Sequence, residues 1–185
     1  MTKTLILMFH PDFAASRANR ALHDAAARLP GVEIVDVAAL YPDGQIDTDA
    51  EVARLLGADR LILQFPVQWY STPPLMKAWQ DAVLTRMMYL APQTEGAKLA
   101  GMPLLVVATA GNLRESYRPE GANLFPLIEL LKPLQATAHR CGFVWADPYL
   151  VYEANRAGAD VLSDAAQVYA ERIELWRDRP ALRAA

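Results

Sequence analysis

The sequence predicts an α/β domain in which a five-stranded parallel sheet carries helices on both faces. Two short apolar runs, KTLILMF (3–9) and MPLLVVAT (102–109), are typical of strands that are buried on both faces. Such runs alternate along the chain with segments whose apolar residues recur every three or four positions, which indicates crossover helices between parallel strands. A length of 185 residues is typical of one domain, and we expect a single domain over residues 1–185.

The first half of the chain supplies three strands and three helices in alternation. The first helix is expected from Ser16, a suitable N-cap, to the Pro30–Gly31 pair, which ends it. A short second helix is expected over residues 51–56. The third has its first turn at Pro73–Pro74, because proline suits the first turn of a helix. The three strands are predicted at residues 3–9, 32–37 and 59–65.

The second half supplies two more strands and two more helices. The fourth strand is MPLLVVAT, and the fifth is a less regular run over residues 143–152. A helix is expected from Leu124 to Gly142, broken or kinked at Pro133, where the backbone amide is missing. The last helix is marked by apolar spacing up to Trp176.

Five strands in this sequence order favour the flavodoxin-like arrangement, with spatial order 2-1-3-4-5. The glycine-rich fingerprint of the six-stranded dinucleotide fold is absent, because HPDFAASRAN after the first strand contains no glycine. A Walker phosphate loop is also absent.

The charge balance and the cysteine content limit the possible partners and compartment. Eighteen Lys and Arg residues against 21 Asp and Glu residues give a net charge of −3, so we expect no nucleic-acid partner. The one cysteine, Cys141, has no internal disulfide partner and is expected in the core. The apolar run at the N-terminus is too short for a signal peptide. We expect a cytoplasmic protein.

Three unusual loops follow strands 1, 3 and 4, whose carboxyl ends meet at the point where ligands bind in this strand order. The first loop, residues 10–19, places His10, Ser16, Arg17 and Asn19 at the start of a helix. Helix N-terminal amides with such side chains suit a phosphate group. A capping serine beside a solvated arginine explains the loop equally well.

The second loop lies within QFPVQWYSTPPLMKAW, which runs from Gln64 to Trp79 and carries Trp69 and Tyr70 between a strand and a helix. These aromatic side chains either fold into the core or form a stacking surface for a planar heterocycle. The third loop, TAGNLRESY from Thr109 to Tyr117, combines a glycine that permits close backbone approach with a tyrosine hydroxyl. Phosphate chemistry, a stacking surface and a polar edge are therefore predicted to meet in one crevice.

These residues resemble the flavin-dependent NAD(P)H:quinone oxidoreductases of the flavodoxin-like fold. The family motif Pro-x-Gln-Trp-Tyr-Ser, followed by a proline and a Leu/Met-Lys-x-Trp helix, matches residues 66–79. The short bacterial branch that includes ancillary subunits of glutathione-gated potassium efflux systems is more similar still. Its motifs recur here at residues 10–19, 40–51, 66–79 and 133–145.

The resemblance implies bound flavin, with FMN favoured over the FAD of larger relatives and NAD(P)H as co-substrate. The implied cofactor-binding residues are His10, Ser16, Arg17, Ala18, Asn19, Pro66, Val67, Gln68, Trp69, Tyr70, Thr109, Ala110, Gly111 and Asn112. Tyr117 is the implied catalytic residue, whereas His139 lies far along the chain and is expected on a helix surface. This chain departs from the family at Asn112, where a second glycine is common.

The implied activity is two-electron reduction of a quinone by NAD(P)H at a homodimer interface. Residues 86–92, RMMYLAP, are explained equally well as a dimer contact and as core. The alternatives are a flavin-binding regulatory subunit that docks on a membrane potassium efflux protein, and an azo- or nitro-compound reductase. A one-electron carrier ranks lower, because a net charge of −3 is weak for steering toward a redox partner.

Overall fold

A computed structural model describes residues 2–178 and shows a wholly parallel sheet in the order β2-β1-β3-β4-β5, with β6 also paired to β4. This confirms the predicted order. The strands are β1 (Thr4–Met8), β2 (Val32–Asp36), β3 (Arg60–Pro66), β4 (Pro103–Thr109), β5 (Val144–Trp145) and β6 (Tyr149–Val151).

The predicted fifth strand is divided into β5 and β6, which pair with the two ends of the same neighbour. β5 lies beside Pro103 and Leu104, and β6 lies beside residues 107–109. The two pieces are separated by residues 146–148, which include Pro148. A proline has no amide to donate to a strand ladder, which accounts for an interruption at this place.

Seven α-helices within residues 2–178 flank the sheet. They are α1 (Ala18–Ala26), α2 (Val37–Leu40), α3 (Thr48–Leu56), α4 (Pro74–Trp79), α5 (Leu127–Leu130), α6 (Lys132–Arg140) and α7 (Ala159–Arg177). After α4 the chain continues in π-helical turns over Gln80–Leu84 and Arg86–Leu90. None of the helices in this part of the chain combines the length and apolarity that a membrane crossing requires.

The helix expected over residues 124–142 is indeed broken, although its start and break were misplaced. Helix α5 begins at Leu127, because Pro126 takes the extended cap position and Leu124 has a φ of 62°. The break lies at Leu131, and Pro133 sits in the first turn of α6, where a missing amide costs little.

Helices cover both faces of the sheet, as predicted. One core includes side chains of α3, α4 and α6, with Leu61, Leu63 and Phe65 from β3. The other includes side chains of α1 and α7, with Ile62 from β3, so alternate strand residues face opposite cores. Cys141 is 4% exposed and belongs to the first core, as expected.

A buried carboxylate fixes α4 to α3. Glu51 on α3 is 1% exposed and accepts hydrogen bonds from Trp79 Nε1 and Tyr41 Oη, both at 2.9 Å, and from Arg54 Nε at 3.1 Å. Burial raises the pKa of Tyr41 to about 12, and the hydrogen bond to the Glu51 carboxylate makes the next largest contribution. The Glu51 carboxylate therefore has the hydrogen-bond partners that a buried charge requires. Its bond to Trp79 fixes α4 relative to α3, below residues 67–73.

Candidate functional site

The loops after β1, β3 and β4 lie side by side, because these strands are neighbours and parallel. We name residues 10–17 loop 1, residues 67–73 loop 2 and residues 110–117 loop 3. The Val67 amide donates to the Thr109 carbonyl at 2.8 Å, so loops 2 and 3 start from adjoining positions. The predicted meeting of the three loops is therefore present in the fold.

Loop 1 forms a 3-10 turn over Phe13–Ala15 before α1 begins. The Asp12 amide donates to His10 Nδ1 at 3.1 Å. Burial lowers the pKa of His10, against the opposing effect of Asp12 and Asp36. A neutral ring that accepts at Nδ1 carries its hydrogen on Nε2, which makes that atom a donor.

Ser16 acts as the expected cap, since its Oγ accepts from the Asn19 amide at 3.2 Å, although α1 is assigned only from Ala18. Ser16 is half-buried and Arg17 is exposed, whereas Ala18 and Asn19 are 2% and 1% exposed. The Asn19 side chain donates through Nδ2 to Thr109 Oγ1 at 3.0 Å. Asn19 is thus a buried link between the start of α1 and the end of β4.

Loop 2 is a tight reverse turn with Trp69 and Tyr70 at its two central positions. Gln68 and Ser71 exchange backbone hydrogen bonds of 3.0 Å in both directions. The φ angles of Trp69 and Tyr70 are 44° and 64°, the left-handed values of a type I′ turn, which favours Asn and Gly. Two aromatic residues hold a conformation that costs free energy in most non-glycine residues.

This turn keeps the aromatic side chains out of the core. Trp69 is 92% exposed and Tyr70 is 47% exposed, while Pro66, Val67 and Gln68 are half-buried. Of the two explanations for Trp69, the core explanation is therefore wrong. The Tyr70 hydroxyl donates to Asn123 Oδ1 at 3.4 Å, which connects loop 2 to the segment beyond loop 3.

Loop 3 is held against β6 and the segment that follows it. The Ala110 amide donates to the Val151 carbonyl at 2.8 Å, and the Ala154 amide donates to the Ala110 carbonyl at 2.9 Å. At Gly111 a Cβ atom would lie 3.3 Å from Asn155 Nδ2, so a side chain would crowd this neighbour. Thr109 and Ala110 are buried and Gly111 is half-buried.

Asn112, which replaces the glycine common in the resembling family, makes a contact that glycine cannot make. Its Nδ2 donates to Asn123 Oδ1 at 3.4 Å, the same oxygen that accepts from Tyr70. Asn123 is 7% exposed, and its Nδ2 is buried with no hydrogen-bond partner among residues 2–178. No spacing or composition signal marks Asn123, and sequence reasoning missed it.

Tyr117 is half-buried at the end of loop 3, with its ring centroid 5.7 Å from that of Tyr152. Burial raises the pKa of Tyr117, and Tyr70 and Tyr152 add to the effect. Its hydroxyl therefore stays protonated and can donate a hydrogen bond at neutral pH. His139 is exposed on α6, as expected.

Two further polar residues lie directly beneath the loops. Gln64, on β3, is 1% exposed and donates through Nε2 to the Asn19 backbone oxygen and to Asn19 Oδ1, both at 3.3 Å. Tyr169, on α7, is fully buried and donates to Gln64 Oε1 at 3.3 Å. The amide inside the apolar run LILQF was a visible signal for Gln64, but Tyr169 carried none.

Relatives with similar sequences span nearly the whole chain. YdeQ of Bacillus subtilis, described as an uncharacterized NAD(P)H oxidoreductase, is 37% identical over 171 residues, 92% of this chain and 86% of that protein. KefG of Cronobacter sakazakii, an ancillary protein of a glutathione-regulated potassium-efflux system, is 38% identical over 178 residues, 96% of this chain and 94% of its own length.

Solved structures agree with the fold. General stress protein 14 of Treponema denticola, in complex with FMN, is 29% identical with a TM-score of 0.84 and covers 94% of this chain and 98% of its own. A proposed quinone reductase of Klebsiella pneumoniae is 26% identical with a TM-score of 0.79, covering 97% and 87%. The family model described as flavodoxin-like fold matches residues 2–174. With that match, the strand order and the three loops, the chain belongs to this flavodoxin-like family.

Proposed function

We propose that the protein is an FMN-dependent NAD(P)H:quinone oxidoreductase. The observation that carries this proposal is the turn of loop 2, which holds Trp69 92% exposed at the carboxyl end of the sheet. A large apolar ring held in water by a left-handed turn has no packing role, and a planar ligand would cover it. The oxidoreductase and FMN descriptions of the relatives support the same conclusion.

The residues present fit the phosphate and the ring system of FMN. Ser16, Arg17 and His10 Nε2 supply a hydroxyl, a cation and a ring donor for the phosphate at the start of α1. Trp69 and Tyr70 supply flat apolar surface for the ring system. The residues of loop 3 supply backbone amides for the polar ring edge, close to the unpartnered Asn123 Nδ2.

Bound FMN would supply hydride acceptance from NAD(P)H and delivery of two electrons to a quinone. The protein holds the ring and the substrate in face-to-face contact. Donors at the polar edge, namely the amides after Ala110 and the protonated hydroxyl of Tyr117, stabilise negative charge that develops there. In this proposal Asn19 and Ala18 shape the site from below, because their side chains are buried.

Identification of the released cofactor tests the proposal directly. We expect denatured protein to release FMN of the correct mass, and the apoprotein to regain FMN and catalyse menadione reduction by NADPH or NADH. Protein that is colourless and cannot be reconstituted with FMN or FAD contradicts the proposal. Released FAD contradicts only the choice of cofactor.

We further propose that the protein is a cytoplasmic homodimer whose second copy covers the site. Asn123 bonds to Tyr70, and the next residues present exposed apolar side chains: Leu124 is 55% exposed, Phe125 50% and Ile128 46%. In residues 86–92, the dimer contact considered from the sequence, Met87 is buried, whereas Tyr89 and Leu90 are 64% and 78% exposed. Sedimentation equilibrium should give twice the monomer mass, and Phe125→Asp should lower it.

The second candidate function is that of an ancillary subunit of a potassium efflux protein. The specific observation in its favour is the 38% identity to KefG over 96% of this chain. Co-purification with a membrane-embedded potassium efflux protein would support it. Activity of the isolated protein on menadione would show that catalysis does not depend on such a partner.

A further inference from the structure

Four buried polar side chains form a continuous hydrogen-bonded series from α7 to the end of β4. Tyr169 Oη donates to Gln64 Oε1 at 3.3 Å, Gln64 Nε2 donates to Asn19 Oδ1 at 3.3 Å, and Asn19 Nδ2 donates to Thr109 Oγ1 at 3.0 Å. We call these four residues the polar series. Each member is at most 2% exposed.

The polar series lies in an otherwise apolar core. Gln64 is two residues from Ile62 on the same side of β3, and the core around Tyr169 is built of side chains such as Leu105, Val107 and Ile173. Burial of an amide in such surroundings is unfavourable unless its donors and acceptors are satisfied. Apolar side chains at these positions would stabilise the core without the need for hydrogen-bond partners, so packing does not explain the series.

The hydrogen bonds of the series have one direction, set by its first member. Burial raises the pKa of Tyr169, so its hydroxyl keeps the hydrogen that it donates to Gln64. Gln64 therefore presents its Nε2 to Asn19, and Asn19 presents its Nδ2 to Thr109. Loss of the Tyr169 hydroxyl would leave Gln64 Oε1 buried without this donor.

Each of the three loops is attached to the far end of the series. The Asn19 amide donates to Ser16 Oγ in loop 1, and the Thr109 carbonyl accepts from the Val67 amide at the start of loop 2. Thr109 is also the residue directly before loop 3. A displacement of Asn19 would therefore affect loop 1, and a displacement of Thr109 would affect loops 2 and 3.

We infer that Tyr169 and Gln64 are positioning residues. They do not touch the flavin but hold loops 1, 2 and 3 in the geometry that binds it. This inference rests on the proposed function for the identity of the ligand. The claim that Tyr169 orders the loops through Gln64 and Asn19 does not depend on a bound ligand and can be tested in the apoprotein. A loop arrangement that is only partly populated weakens apparent affinity by the fraction that is competent.

The test compares Tyr169→Phe with Tyr149→Phe, which the chain offers as a matched control. The two rings stack with centroids 5.5 Å apart, and Tyr149 Oη donates to the Ala165 carbonyl on α7 at 2.7 Å. Each variant removes one hydroxyl and one hydrogen bond in which a residue of α7 takes part. Only Tyr169→Phe removes a hydrogen bond of the polar series. FMN titration of each apoprotein and amide hydrogen exchange of the three loops are measured.

We expect Tyr169→Phe to raise the Kd for FMN by at least about fivefold and to speed exchange in all three loops, with Tyr149→Phe close to wild type. Equal FMN affinity and equal loop exchange in the two variants would overturn the inference, even if both lower the thermal midpoint. If wild type binds no FMN, the proposed function fails. Loop exchange then still decides whether Tyr169 orders the loops. Gln64→Met gives the same comparison if Tyr169→Phe does not fold.

Discussion

Replacement of Trp69 by alanine separates a binding role from a packing role more sharply than any other change in the site. Because the side chain is 92% exposed, its removal uncovers little apolar area and leaves no cavity. Surface substitutions of this kind change the free energy of unfolding by no more than about 0.5 kcal/mol, which corresponds to a shift of about 2 °C or less in thermal midpoint.

The effect on flavin binding should be far larger. Stacking of a base on an aromatic side chain is worth about 1–3 kcal/mol by alanine substitution, and a flavin ring offers a comparable surface. At about 1.4 kcal/mol for each factor of ten, Trp69→Ala should raise the Kd for FMN by roughly 5- to 150-fold. Turnover with menadione should fall as well when FMN is limiting.

Trp79 provides the internal control, because it has the same side chain in the opposite environment. It is 1% exposed, and its Nε1 donates to Glu51 Oε2 at 2.9 Å. Trp79→Ala should cost about 3–5 kcal/mol, or about 6–20 °C in thermal midpoint, with activity per folded molecule largely retained. The reasoning is refuted if Trp69→Ala melts as low as Trp79→Ala and binds FMN as tightly as wild type.

Three other predictions follow from the loops. The double change Trp69→Asn, Tyr70→Gly supplies the residues that a type I′ turn favours, so relief of roughly 1 kcal/mol should raise the apoprotein midpoint by about 2–4 °C while FMN binding weakens. An unchanged or lower midpoint would show that the turn carries no strain. The folded state lowers the pKa of His10 from 6.5, so the unfolded chain binds more protons just below that pH. Apoprotein stability should therefore fall as pH drops from 7 to 5.5, and His10→Asn should flatten this slope in pH-dependent melting curves. Menadione reduction should give parallel double-reciprocal lines, because nicotinamide must leave before quinone enters; intersecting lines exclude a shared site.

The strands could be located from the sequence because each buried strand is a local apolar run, and five such runs that alternate with helical segments favour the order 2-1-3-4-5. The same locality fixed loops 1, 2 and 3 at the strand ends. Trp69 was different, since periodicity assigns a residue to a face only within a regular element. Its exposure depends on left-handed backbone angles that Trp and Tyr seldom adopt, and no composition rule anticipates them.

The polar contacts across the site could not be predicted from the sequence, for a different reason. Asn19 and Thr109 are 90 residues apart, and Tyr169 and Gln64 are 105 apart, so their contact depends on the register of whole elements. The position of Asn19 near a helix start predicts a cofactor-binding residue, but it does not reveal the hydrogen bond that its side chain donates to Thr109. The π-helical turns of residues 80–90 were missed too, because a four-residue apolar spacing fits α- and π-helical turns nearly equally well.

The tight turn that holds Trp69 also affects how this protein can change over evolutionary time. The hydrogen bonds between Gln68 and Ser71 are made by the backbone, so the side chain at position 69 takes no part in closing the turn, and the only demand on this residue is its left-handed φ. The helix behind it is secured separately by Glu51 and Trp79. Mutations at 69 and 70 can therefore accumulate with little loss of stability, whereas those at 51, 64 and 79 are costly. A library randomised at 69 and 70 should yield mostly folded members that differ in FMN affinity and in the acceptors they reduce, which makes this turn a place where a new substrate preference can arise with little damage to the scaffold.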